Sequence, residues 1–477
     1  MGLTYLEEVP ALNNMVRGLI VLAIGAVIWF IPVPDGVKLE AWRLLAIFVA
    51  TIAGFILQPL PIGAIAIIAV SVTILLGVLK PGEALSGFSN ATIWLIVSAF
   101  LFSRGFIKTG FGRRIAYMLI RKFGDRTLKL GYILAACEFI FGPFTPSNTA
   151  RGGGIIYPIV RSLATAFQSE PDHSPRRIGA YLMFTEYQMN CISSALFMTA
   201  MTGNPLIAQF ASKTLNIEIS WGLWTLAAII PALLSMLVIP YYLYKVYPPV
   251  VTHTPEARTL AEAELKAIGP LTRGEKVLAA IFVCALLLWS TSSYTKIDAT
   301  AVALLAVSVM MITKVISWND VLEEKGAWDT FVWMGSLVGL ATFLEKLGLI
   351  SWFAKSVSAG LVGISAAPAF LLILGLYMYS HYGFASMVGH IVALYSALVA
   401  VMVLAGVPPY LAALSMAYAS SLCGSLTHYA AGPAPIYFGS GYIKQHTWWK
   451  LGFYISIINL VIWIGIGPIW WKVLGLW

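Results

Sequence analysis

Runs of about 20 apolar residues recur along this chain, and a run of that length is what an α-helix needs to cross a bilayer. With 59% hydrophobic and 11% charged residues, against about 25% charged in soluble domains, the 477 residues read as an all-α polytopic membrane protein. The net charge of +9 is not gathered into one soluble domain, so it is read through topology and implies no nucleic-acid partner. Cys137, Cys191, Cys284 and Cys423 are scattered, mostly in apolar segments, without CxxC or Cys/His spacing. They read as small buried hydrophobes, and neither a metal nor a cofactor is expected. The N-terminus lacks a basic lead and a cleavage site, so its first apolar run is read as a retained span. With no transit peptide visible, a bacterial plasma (inner) membrane is the expected location.

One stretch breaks the apolar pattern most sharply: Phe144-Thr145-Pro146-Ser147-Asn148-Thr149-Ala150-Arg151-Gly152-Gly153-Gly154. Pro146 stops a helix, and the polar run supplies hydrogen-bonding groups. Irregular backbone survives at membrane depth only where protein buries it or where it lines a wet cavity. A cation there costs roughly 2.5–3.5 kcal/mol and needs a partner. For Arg151 that partner is either a bound anion or an internal carboxylate such as Glu138.

Spans are expected at about 17–33, 42–58, 62–79 and 92–109. The basic connection 110–130 points to the cytoplasm, and 130–165, whose arms are each too short to cross, reads as a re-entrant hairpin. A broken helix, 179–214, is interrupted at Met201–Pro205, and 222–244 crosses next. The hydrophilic stretch 245–276 is a second cytoplasmic connection. Spans at 277–293 and 299–315, a surface helix at 316–329 and a span at 330–349 follow. A second hairpin, 364–405, centres on Ser380–His390, a second broken helix, 409–441, is interrupted at Thr427–Pro435, and the last span is 452–472. The sum is eleven transmembrane helices and two hairpins, with the N-terminus cytoplasmic.

The order of crossing, hairpin and broken helix occurs twice, in 1–244 and in 277–477. The first hairpin enters from inside and the second from outside, which is an inverted repeat and points to a secondary transporter with a midplane site. Placing Ser147 on Ser386 puts Arg151 on His390. The breaks add Thr202, Gly203 and Asn204 in the first half and Thr427, His428, Gly432 and Pro433 in the second. Half-helix N-termini at such breaks present free amides and partial positive charge, which suits an anion with two carboxylates. Arg151, His390 and His428 are the candidates for charge compensation, and Glu138 and Glu186 also lie at membrane depth, either neutralising Arg151 or carrying a proton.

Pro146–Arg151 with the glycines after it resembles the divalent anion:sodium symporter (DASS, INDY-like) family. Ser380–His390 and Ala431–Pro435 with Tyr437–Gly441 look like its exchanger branch, that of 2-oxoglutarate/malate translocators and citrate/succinate and tartrate/succinate antiporters. The resemblance covers nearly the whole chain. It implies a homodimer, a scaffold and a transport domain in each protomer, and an elevator-type movement. It also implies substrate contact at Ser147, Asn148 and Thr149, and at Ser386 in the second copy, where Met387 and Val388 replace Asn and Thr.

The second copy is damaged and a fixed cation stands at Arg151, so sodium-independent obligatory exchange of di- or tricarboxylates is expected. The alternative is sodium-coupled dicarboxylate symport on the same fold, and more distantly an anion channel. No motif such as HExxH and no sequence-local nucleophile–base pair points to an enzyme.

Overall fold

The computed structural model describes residues 13–349, Trp352, Ser356 and 365–477. The described chain is α-helical, and its only pairing of β type is one bridge between Arg126 and His253. Among the described residues, seven helices are long and apolar enough to cross a membrane. Shorter apolar helices run Asn14–Phe30, Ile62–Leu75 and Ala299–Ile312.

The chain divides into two compact units. The first takes in 1–93 and 328–356. Its helices include Asn14–Phe30, Leu39–Leu57 and Ile62–Leu75, with most of Lys325–Lys346. Leu44, Ile47, Val70 and Leu79 pack with Leu340 and Leu344 in its core. Gly335 and Gly339, one turn apart, let the backbone at Gly87 come close: a Cβ on Gly87 would overlap the Gly335 carbonyl. Small residues spaced this way are how helices in lipid approach backbone to backbone. Apolar side chains also face outward, with Phe30 82% and Leu75 83% exposed. Such surface is stable only against lipid or another protein.

The second unit takes in 94–327 and 357–477. Its central helix, Gly179–Leu196, is buried at every residue although it carries Thr185, Glu186, Gln188, Asn190, Ser193 and Ser194. The polar connection is clamped to the amphipathic helix Phe111–Phe123. Arg114 donates to both oxygens of Glu275 at 2.6 and 3.1 Å and to the carbonyls of Gly269 and Pro270, and Arg113 pairs with Glu264.

The first broken helix opens after Leu196 and resumes at Gly203, earlier than the expected Met201–Pro205, and the second opens after Leu422 and resumes at Ala434. Helix Thr127–Phe141 leads through a 3-10 turn, Gly142–Phe144, to an irregular tip before the chain re-enters helix. The first arm with this turn, Thr127–Phe144, is long enough to cross a membrane, contrary to the expectation that both arms are too short. The reason is that the helix does not stop in mid-run but tightens and continues to Phe144. Helices Gly179–Leu196 and Gly203–Leu215 flank the first break, and Pro409–Leu422 and Ala434–Gly439 the second. The surface helix is shorter than expected, Trp318–Glu323, because the next long helix already begins at Lys325.

Candidate functional site

Ser147 and Ser386 perform the same local task. The Ser147 hydroxyl accepts from the amide of Ala150 at 3.1 Å, and that of Ser386 from Gly389 at 3.2 Å. One residue later, the amides of Arg151 and His390 each donate to the serine carbonyl at 3.0 Å. Each serine thus caps the turn that follows it, and its O–H is not committed to a protein acceptor among the bonds described. π-helical turns follow both caps, at Ala150–Ile156 and Ile391–Tyr395. Such turns concentrate at functional sites.

The two halves meet crosswise. Thr149 of the first tip lies against Gly432 of the second break, where a Cβ would overlap the threonine hydroxyl. The Tyr437 hydroxyl donates to the Gly152 carbonyl at 2.8 Å. A Cβ on Gly203, in the first break, would meet Ile391 of the second hairpin at 2.5 Å. Asn148 Nδ2 lies 3.9 Å from Met387 Sδ, so the two tips touch, and the Thr202 hydroxyl donates to the Pro146 carbonyl at 3.4 Å. Ser147, Asn148, Thr149, Thr202 and Ser386 are half-buried and Gly432 is exposed, which leaves one accessible polar surface at the crossing.

The other candidates lie deeper. Asn204 is fully buried, and its amide nitrogen donates to the carbonyls of Ser194 and Phe197 at 2.6 and 3.0 Å, which closes the broken helix. Gly203 and Pro433 are buried, and Thr427 is buried with no hydrogen-bond partner for its hydroxyl among the described residues.

Arg151 is fully buried and spends all five of its N–H donors on protein. Nε donates to Glu138 Oε2 at 2.6 Å. Nη1 donates to the carbonyls of Thr145 and Ala200 at 2.7 and 2.9 Å. Nη2 reaches the Asn190 carbonyl at 3.4 Å and the hydroxyls of Ser193 and Ser194 at 2.9 and 3.0 Å. Glu138 in turn accepts from Asn190 Nδ2 at 2.9 Å and from the Ser193 hydroxyl. The guanidinium therefore sits in a cage of oxygens with its own carboxylate, and it is not a free counter-charge for an anion.

The histidines also differ from the expectation of cations. His428 Nδ1 accepts from the Trp449 indole at 3.0 Å, which requires an unprotonated nitrogen. The Ser380 hydroxyl gives its hydrogen to the Tyr377 carbonyl, so His390 Nε2, 2.9 Å from that hydroxyl, is the donor to it. His390 Nδ1 is left buried without a partner among the described residues, the pattern of a neutral imidazole. Glu186 is fully buried, and neither carboxyl oxygen has a hydrogen-bond partner among the described residues.

Sequence reasoning missed Asn190, Ser193 and Ser194 as the partners of Arg151. Their signal was present: three polar residues at i, i+3 and i+4 on one face of an otherwise apolar span.

Comparison with known proteins agrees with this architecture. Residues 12–477 match the family described as the sodium:sulfate symporter transmembrane region. The Bacillus subtilis (strain 168) protein YflS is 50% identical over 465 residues, 97% of each chain. The Arabidopsis thaliana protein named dicarboxylate transporter 1, chloroplastic, is 44% identical over 459 residues, 96% of this chain and 82% of that one. Inner membrane protein YbhI of Escherichia coli (strain K12) is 38% identical over 466 residues, 96% and 98% of the two chains. The crystal structure of the Alcanivorax borkumensis YdaH transporter, at 13% identity, superposes with a TM-score of 0.57 over 98% of this chain and 99% of that one, a likeness of fold. The chain belongs to the sodium:sulfate symporter family, the divalent anion:sodium symporter group, and is a multi-pass membrane transporter.

Proposed function

We propose that this protein carries dicarboxylate anions across a bacterial plasma membrane by exchange, without sodium. The chloroplast relative's name supports the substrate class, YflS is named with malate as a proposed substrate, and YbhI is named for the inner membrane. In this reading one carboxylate meets Ser147, Asn148 and Thr149, and the other meets Ser386 at the second tip. Thr202 and Gly432 border the site, while Gly203, Asn204, Thr427 and Pro433 shape the breaks from below. Hydroxyls, amides and half-helix N-termini hold the anion, each charge-assisted hydrogen bond contributing about 1.5–3 kcal/mol.

The observation that carries sodium independence is the oxygen cage beneath the first tip. Three carbonyls, two hydroxyls and one carboxylate surround Arg151, and these are the hard oxygen ligands a sodium ion would need. The guanidinium occupies them permanently. At the second tip the Asn and Thr of the first copy are Met387 and Val388, which removes further oxygens.

Exchange follows from what an empty site would carry. Arg151 is paired, so the unbalanced charge is not the obstacle. The obstacle is the set of donors at two half-buried tips, which would cross the membrane without the strong acceptor an anion supplies. A returning anion satisfies them. One domain in each protomer of a homodimer makes an elevator-type movement, and the N-terminus lies in the cytoplasm.

The test is ligand-induced thermal stabilisation of the purified protein with succinate, malate or 2-oxoglutarate, in sodium and in potassium. Equal stabilisation in both salts is expected. Stabilisation that requires sodium would contradict the reading.

A further inference from the structure

His381 and His390 flank the second tip, and Cys423 begins the 3-10 turn at the end of helix Pro409–Leu422. All three are buried, and one ligating atom from each lies within 4.8 Å of the other two. The imidazole rings stand nearly perpendicular, at 77°, with centroids 4.8 Å apart.

Hydrogen bonding fixes the tautomer of His381 and favours the same one for His390. His381 Nε2 lies 2.8 Å from the Ala430 carbonyl, which can only accept, so that nitrogen carries the hydrogen. His390 Nε2 donates to Ser380, as above. Both Nδ1 lone pairs are therefore bare, and neither has a hydrogen-bond partner among the described residues. A second hydrogen bond that orients a histidine and sets its tautomer is the usual support of a metal ligand. The third atom is a thiol, 3.3 Å from the Ser420 carbonyl. More sulfur lies near: a Cβ on Gly424 would meet Met387 Sδ at 3.2 Å and Cys191 Sγ at 3.3 Å.

We propose that His381, His390 and Cys423 form a binding site for a soft transition-metal cation of the zinc class. Filled, the site pins the second hairpin tip to the end of helix Pro409–Leu422. Three atoms no more than 4.8 Å apart always leave a point within about 2.8 Å of all of them, so side-chain shifts of about 1 Å reach Zn–N of about 2.0–2.1 Å and Zn–S of about 2.3 Å. Two imidazoles and a thiolate match this cation class, and the fourth position stays open. The cation displaces the thiol hydrogen: the sulfur–metal bond forms as the S–H bond breaks, and one proton leaves to solvent. Gly383 and Ala385, exposed in the tip between the histidines, give the entry route.

The test uses the full-length protein in detergent and in proteoliposomes. Zinc binding is measured by competition with a chromophoric chelator, and cobalt is added as a spectroscopic probe. One zinc per chain and a thiolate-to-cobalt charge-transfer band are expected. Cys423→Ser abolishes the band and weakens zinc at least about tenfold. Cys284→Ser, at an exposed cysteine, changes neither. Zinc slows anion exchange by the parent protein, while Cys423→Ser exchanges at the parent rate and ignores zinc. Absence of zinc binding, an unchanged band in Cys423→Ser, or loss of binding in Cys284→Ser would overturn the proposal, and the cobalt spectrum of the parent protein tests it even if a variant fails to fold.

Discussion

Arg151 and Glu138 lie thirteen residues apart, on the two arms of the first hairpin, and join through an Nε–Oε2 bond of 2.6 Å with neither side chain exposed. Removing one partner leaves the other charge buried and alone, which costs about 3–5 kcal/mol. Glu138→Gln and Arg151→Gln should each lower the melting temperature sharply, and the double variant should recover part of the loss. Arg151→Lys should not rescue, because a point cation cannot reach six oxygens arrayed around a planar fork. Losses that simply add in the double variant would argue against the pair.

Glu186 stands a few residues from that cage in sequence, on helix Gly179–Leu196, beside Glu138 and Tyr437 but with neither carboxyl oxygen in a well-formed hydrogen bond among the described residues. A bare carboxylate would be prohibitively costly there, so the group is accommodated as the neutral acid. Glu186→Gln should therefore fold and exchange anions at a rate within about twofold of the parent, since the substitution removes no charge. A dead but folded variant would show that the carboxyl must ionise or pass a proton.

The tip serines carry two loads. Each caps a helix, which contributes about 1 kcal/mol, and each offers its O–H to the anion. Ser147→Ala and Ser386→Ala should raise KM about 10- to 100-fold, the equivalent of one charge-assisted hydrogen bond, with smaller effects on melting. Gly432→Ala should act through sterics by driving a methyl into Thr149, and Thr149→Ser should relieve it only in part, because the overlap is with the hydroxyl itself. Uptake kinetics at varied substrate concentration separate these effects.

Arg114 and Glu275 give a pH signature on the polar side. Burial pushes the Glu275 carboxyl up, but the paired Arg114 guanidinium and the Thr272 amide and hydroxyl pull it further down, so it ends below its ordinary value. A depressed carboxylate stabilises the fold above the unfolded value of about 4.3, and that stability is lost as pH falls through the folded value. The parent protein should lose melting temperature in that acid window. Glu275→Gln should melt lower at neutral pH and show a shallower acid slope.

The broken helices and hairpin tips were legible because Pro, Gly and hydroxyl residues interrupt apolar runs at Pro146–Gly154 and Met201–Pro205. Glu138 was legible as a partner of Arg151, but Asn190, Ser193 and Ser194 were not, since they depend on which face of helix Gly179–Leu196 turns toward the hairpin. The proximity of Cys423 to His381 was equally hidden, because contacts across more than 40 residues of helical chain follow from packing and leave no local pattern. His390 matched Arg151 in position but not in charge, because hydrogen bonding rather than register decides a tautomer.

Uptake of radiolabelled succinate or 2-oxoglutarate into proteoliposomes, preloaded with dicarboxylate or empty, each with and without a sodium gradient, separates exchange from symport. An exchanger takes up label only into preloaded vesicles, at a rate indifferent to sodium, and that is the expected result. Sodium-driven uptake into empty vesicles would contradict it.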